Sequence, residues 1–204
     1  MYQNIPTKCL TGEVRLSYCH LCEPRAPQGG GDPKYSVTLL IPKTDAATIA
    51  DLRSAFEAAY NDGIQKKWNG ARPQPRQIIH DGDGLRPNGM PFGDECKGCW
   101  VLTASSKQKP QVVGIDNIRC ELAPNDIYSG MFGRVTINFF PYDTAGSKGV
   151  AAGLGNVLKT RDGEPLAGGA SAASDFEGVG GINIPGPGVS EIDPVTGQPI
   201  NFPF

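Results

Sequence analysis

A mainly β domain with one substantial helix, trailed by a segment unable to fold alone, is the architecture that three observations on this sequence predict. Gly (27) and Pro (18) take about 22% of the 204 positions, punctuation that favours short strands joined by turns over a helical bundle. Several stretches alternate apolar and polar residues at the period of a half-buried strand. From about Ala170 the texture changes: Gly and Pro fill 11 of the last 34 positions, with few large apolar residues. Such a segment buries too little to offset its conformational entropy. The expected organisation is a folded domain over residues 1–170 and a disordered, acidic, Gly/Pro-rich tail over 171–204.

The elements follow in order. Residues 12–18 place Val14, Leu16 and Tyr18 on one side of a strand and Glu13, Arg15 and Ser17 on the other. After a loop from Pro24 to Pro33, residues 34–41 repeat the pattern with Tyr35, Val37, Leu39 and Ile41 on one face, and Pro42 stops the run. Thr44 or Asp45 can cap a helix, since a short side-chain oxygen there accepts from first-turn amides. Ile49, Leu52, Phe56 and Ala59 or Tyr60 recur at helical spacing, and Gly63 is expected to weaken or end that helix. Residues 69–98 form a long excursion punctuated by Pro and Gly, of the length that is usually functional or mobile. Residues 99–105 and 128–142 read as strands, the second being the longest. Residues 150–158 fit either a glycine-bearing strand or a short helix.

Composition also bounds function. No stretch approaches the ~18 apolar residues of a membrane span, and Met1 to Leu10 lacks a signal-peptide pattern, so an intracellular, soluble protein is expected. The net charge of −2 hides an asymmetry. Residues 1–170 hold all 19 Lys and Arg against 17 acids, a balance of +2, whereas the tail carries Asp175, Glu177, Glu191 and Asp193 with no base, a balance of −4. Only His20 and His80 are available as imidazole bases, and neither a nucleophile elbow nor a phosphate-cradling Gly-rich loop occurs, so an enzyme is poorly supported.

The longest strand carries the sharpest functional signal. Met131, Val135, Ile137 and Phe139 fall on one face as a core stripe. Phe132, Arg134, Thr136, Asn138, Phe140 and Tyr142 fall on the other. Rings interleaved with a cation are what a single-strand platform needs, because bases stack on rings at ~1–3 kcal/mol each while cations meet phosphates. A strand buried on both faces is the alternative. Lys66, Lys67, Trp68, Arg72 and Arg76 form a basic run with no acid from Lys66 to His80, and Trp100, Lys107 and Lys109 add to it. The pairs Cys19/Cys22 and Cys96/Cys99 have zinc-like internal spacing but lie 73 residues apart, too far for a compact ribbon, so no metal is expected. Asp81, Asp83, Asp94 and Glu95 could in principle serve a metal-dependent nuclease, yet Asp and Gly alternating in a Pro-rich loop are equally the language of turns.

The blocks at residues 12–18, 33–43, 97–106, 128–134 and 149–165 resemble, in order, the DUF2815 family of bacteriophage single-stranded DNA-binding proteins. That resemblance implies an OB-fold-like β-barrel and a protein that coats single-stranded DNA during phage DNA replication or recombination, in the cytoplasm of the bacterial host, without strong sequence preference and without a cofactor. Cys19, Cys22 and Cys96 depart from the family's wording, which argues further against zinc. The residues expected to contact nucleic acid are those read above: Lys66, Lys67, Trp68, Arg72, Trp100, Lys107, Lys109, Tyr128, Phe132, Arg134, Phe140 and Tyr142. The Pro203-Phe204 terminus resembles the partner-docking ends of bacterial single-strand-binding proteins, although its nearest acid, Asp193, is ten residues back. Phe204 is therefore expected to dock replication or recombination proteins. A virion or scaffolding role with a tethering tail is the remaining alternative.

Overall fold

A computed structural model describes residues 2–26, 30–144 and 147–166. The elements are β1 (Lys8–Leu10), β2 (Val14–Arg25), β3 (Lys34–Pro42), α1 (Ala46–Lys66), β4 (Ile79–Asp81), β5 (Cys99–Ser106), β6 (Val112–Gly114), β7 (Asn117–Glu121), β8 (Phe132–Thr144) and β9 (Ser147–Arg161). The tail over 171–204, with Phe204, lies outside the described residues.

The strands pair in the order β1-β8-β2-β3-β5-β9-β6-β7, and β8 also pairs with β9. That extra pairing closes a ring, β2-β3-β5-β9-β8 and back to β2. All its pairings are antiparallel except β5 with β9, which meet in parallel at Ser105 and Gly153. Taken as ring strands one to five, this is the order 1-2-3-5-4-1 of an OB-type sheet, with the parallel contact its shortest pairing. The mainly β expectation holds, and residues 150–158 resolve as strand, part of β9.

Alternation decides what fills the ring. Val37, Leu39 and Ile41 of β3, Leu102 and Ala104 of β5, and Val135, Ile137 and Phe139 of β8 are buried together, with Val150, Ala152, Leu154 and Val157 of β9 completing the core. The stripe expected on the long strand is therefore core.

Helix α1 packs on this core through Leu52, Ala55 and Ala59. Asp45 caps it by accepting from the Thr48 amide at 3.0 Å, which satisfies one of the otherwise orphaned first-turn donors. Gly63 does not end the helix, which continues to Lys66. Its missing side chain makes a seat instead: a Cβ there would come within 2.5 Å of Trp68 Cη2. Trp68 closes over that seat, edge-on to Tyr60 with ring centroids 5.3 Å apart, and its indole N–H donates to the Tyr142 carbonyl at 2.9 Å.

Candidate nucleic-acid interface

The outer faces of β3 and β5 form the floor of a groove of about 640 Å³, with Thr38 and Leu40 from one strand and Val101, Thr103 and Ser105 from the other. Thr38 and Thr103 share a hydroxyl hydrogen bond of 3.0 Å across it. One bank is the excursion between α1 and β5, which contributes Arg76 to Ile78, His80, Arg86 to Asn88 and Phe92. The opposite bank is built from Tyr142 of β8, Val150 to Ala152 of β9, and Ser17 and Tyr18 of β2.

A chain so rich in Pro and Gly needs pins to form a wall. Lys43, just after β3, bridges Asp81 at 2.5 Å and Asp83 at 2.7 Å. Asp83 also accepts from the Gly98 amide at 3.0 Å. The adjacent lysine holds both carboxyls below their ordinary pKa. Gly82 allows the close approach, since a Cβ there would lie 2.0 Å from the Cys96 carbonyl oxygen. Asp81 and Asp83 thus both serve as counter-ions of Lys43.

Electrostatically the groove is one-sided: among the described residues Arg76 and Arg86 line it, and no Asp or Glu does. The Arg86 guanidinium lies 5.3 Å from the Phe92 ring centroid, within cation–π range. Its Nε is buried and meets no acceptor among the described residues. His80 is 6.3 Å from the Phe92 ring. Burial, and then the Arg76 charge, hold its pKa below the ordinary imidazole value.

Tyr18 reaches the groove through a backbone irregularity. The β2–β3 register shifts between Ser17 and His20, and Tyr18 has φ +48° with its side chain 56% exposed. Alternation had put it on the core side with Val14 and Leu16. The bulge turns it out, as bulges do when they re-aim a side chain. Leu21 then resumes the buried set.

The sequence-predicted contact residues divide sharply. Tyr142 lines the groove, and Phe140 and Lys107 line a smaller one beside it. Trp68 is a correction: at 1% exposure its ring belongs to the core under α1 and cannot stack on a base. Phe132 packs against Gly163, with the Arg161 guanidinium 3.4 Å from its centroid. Tyr128 braces the chain after β9, its hydroxyl within 2.8 Å of Asp162 and 3.0 Å of the Gly163 carbonyl. Arg134 donates to the Thr11 carbonyl at 2.9 Å. Trp100 lies on the side of β5 that carries Leu102 and Ala104, half-buried, with the Lys43 ammonium 5.2 Å from its ring. Lys66 pairs with Asp62 at 3.0 Å, and Lys109 with Glu121 at 3.9 Å. Lys66, Lys67, Arg72 and Lys109 are exposed, and none lines either groove. What sequence reasoning missed is Tyr18, His80, Arg86 and Phe92, of which the last three sit in the excursion whose length alone had marked it.

All six cysteines are free thiols: Cys9 and Cys96 are buried, Cys19, Cys22 and Cys99 half-buried, and Cys120 exposed. Burial pushes the Cys19 thiol up to about 12 and those of Cys9 and Cys96 up to about 11, so without a bound metal these groups stay protonated at neutral pH. Among the described residues no three His, Cys, Asp or Glu side chains come together as a metal site.

Known proteins resemble this chain in sequence and fold. The family profile described as "Enterobacter phage Enc34, ssDNA-binding protein" matches residues 7–183. Protein p50 of Acyrthosiphon pisum secondary endosymbiont phage 1 is 30% identical over 172 residues, spanning 81% of this chain and 90% of its own. Among solved structures, the single-stranded DNA-binding protein of bacteriophage Enc34 in complex with ssDNA superposes with TM-score 0.67 at 30% identity, covering 79% of this chain and 90% of that one. The gp2.5 single-stranded DNA-binding protein of bacteriophage T7 is 16% identical with TM-score 0.53, covering 82% and 93%, a likeness of fold alone. With a profile matched over most of its length and relatives at 30% identity, the chain belongs to the Enc34 phage ssDNA-binding protein family.

Proposed function

We propose that this chain binds single-stranded DNA in the groove over β3 and β5, as part of phage DNA replication or recombination in the cytoplasm of the bacterial host. The observation that carries the reading is the groove's pairing of two arginines with Tyr18, His80, Phe92 and Tyr142 in an acid-free lining. Phosphates meet the guanidinium groups of Arg76 and Arg86, while bases stack on the exposed Tyr18 ring and the half-buried rings beside it. Every base has a π-face, so such binding is tolerant of sequence. The role inferred here is one of binding, and catalysis plays no part in it.

The test is a titration of fluorescent oligo-dT at two salt concentrations. Binding is expected at low salt and should weaken as salt rises, with a log–log slope of about −0.7 for each phosphate neutralised. Arg76→Ala with Arg86→Ala should reduce that slope by about 1.4. No binding at low salt would sink the assignment. Replication or recombination proteins are the proposed partners of the tail and its Phe204.

A further inference from the structure

We propose that a second groove, across a saddle at Ser105 from the first, holds the continuation of the same single strand, with Lys8 and Lys34 as its phosphate contacts. This rests on the reading that the first groove binds single-stranded DNA. The second groove encloses about 480 Å³, and among the described residues its lining includes Lys8, Lys34 and Lys107 and no acid. Ser105 lines both grooves. Along the outer face of β8, Tyr142 belongs to the first groove and Phe140, two residues back, to the second. On β9, Ala151 lies in the first and Gly153 in the second, and Ala151 pairs with Phe140. The two sites are therefore consecutive stretches of one surface.

The floor of the second groove suits a flat ligand. Phe140 is 44% exposed. It lies over Gly153, where a Cβ would come within 3.2 Å of its Cε1, and Gly155 leaves similar room for Thr136. A ring lowered onto a glycine keeps a face for a base, and the lysines stand where the backbone of a stacked strand would pass. Their present contacts are replaceable. Lys107 pairs with Asp32 at the surface, and Lys8 donates to the Gln3 side chain at 2.8 Å. An acidic peptide would satisfy the lysines, but it would make no use of the aromatic floor or of the continuity with the first groove.

The experiment measures affinity of the full chain for oligo-dT over about four to 16 nucleotides, the range single OB-type domains cover. The wild-type chain is compared with Lys8→Ala/Lys34→Ala and with Arg76→Ala/Arg86→Ala. Wild-type affinity should climb with length to a plateau. The lysine variant should match it on the shortest oligomers and lose about 25-fold on the longest at 0.1 M salt, two phosphate contacts at a slope of roughly 0.7 each. The arginine variant should lose affinity at every length. A lysine variant equal to wild type at all lengths overturns the second groove, and the arginine variant still reports on the first. A uniform loss at all lengths in the lysine variant also overturns it, since the lysines would then serve one undivided site. Absence of wild-type binding at any length would instead overturn the reading on which the inference rests. Unchanged thermal midpoints certify the variants, and Lys8→Gln/Lys34→Gln serves if the alanines perturb folding.

Discussion

Tyr18 combines a backbone cost with an exposed ring, two features that stability alone does not favour together. A bulky residue at φ +48° carries about 1–2 kcal/mol of steric penalty that glycine avoids. Glycine in turn loses about 0.5–1 kcal/mol of conformational entropy on folding. Tyr18→Gly should therefore leave the thermal midpoint nearly unchanged while weakening oligo-dT binding by about 1–3 kcal/mol, the worth of one stacked base. A collapse of the midpoint with affinity retained would make Tyr18 a structural residue. His80 gives a pH handle in the same groove. Its folded pKa lies below the ordinary value, so on acidification the unfolded chain takes up the proton first. Stability should fall as pH drops from the ordinary imidazole pKa towards the folded one. Binding should move the other way, because a protonated His80 joins Arg76 and Arg86 where no acid lines the groove. One added charge about 4 Å from a phosphate in water is worth about 1 kcal/mol. His80→Gln should flatten the binding trend and reduce the stability trend, the remainder coming from His20, whose pKa burial also lowers, measured by melting curves and titrations between pH 5.5 and 7.5, a window of about one unit on either side of the imidazole pKa.

At the scale of elements, α1 sets two local effects against each other at Gly63. Alanine is the better helix former by about 1 kcal/mol, yet its Cβ would meet Trp68 at 2.5–2.7 Å. Overpacking of a full core costs about 1–3 kcal/mol. Gly63→Ala is therefore expected to lower the thermal midpoint despite its propensity, and a rise would show that the indole shifts freely. Strand β8 offers the companion contrast: Phe140→Ala should weaken binding with the fold intact, whereas Phe132→Ala, which strips the ring from Gly163 and Arg161, should lower stability. These cases show what the sequence made legible. Period-two alternation sorted the two faces of β8 correctly, and the 3.6-residue period with its Asp45 cap located α1. Strand β9 stayed ambiguous because its glycines, needed where Phe140 and Thr136 lie across it, erase the pattern that alternation reads. A bulge shifts phase in a single residue, so Tyr18 was assigned to the wrong face. Trp68 sits in a basic run and read as surface, because its seat on Gly63 is a tertiary fact. The groove's bank of Arg76, His80, Arg86 and Phe92 comes from an excursion without periodicity, held by two of its aspartates on Lys43, far back along the chain.

For the whole molecule, the division of charge makes a prediction that neither part makes separately. Residues 1–170 carry +2, residues 171–204 carry −4, and the sum of −2 would repel DNA if charge were spread evenly. Among the described residues both grooves are lined by basic side chains and no acid, so these surfaces are expected to attract polyanions, and the acidic residues of 171–204 are expected to compete for them. Deleting residues 171–204 should then raise affinity for oligo-dT at low salt, where the screening length is about 30 Å at 0.01 M. The gain should shrink at about 0.15 M, where that length is about 8 Å. Four acids give the comparison a second arm: replacing Asp175, Glu177, Glu191 and Asp193 with their amides should reproduce the gain without shortening the chain. If deletion raises affinity and the amides do not, the effect is one of bulk rather than charge. If neither changes affinity at low salt, the segment does not compete for the grooves, and its part in the protein rests on partners that Phe204 would dock.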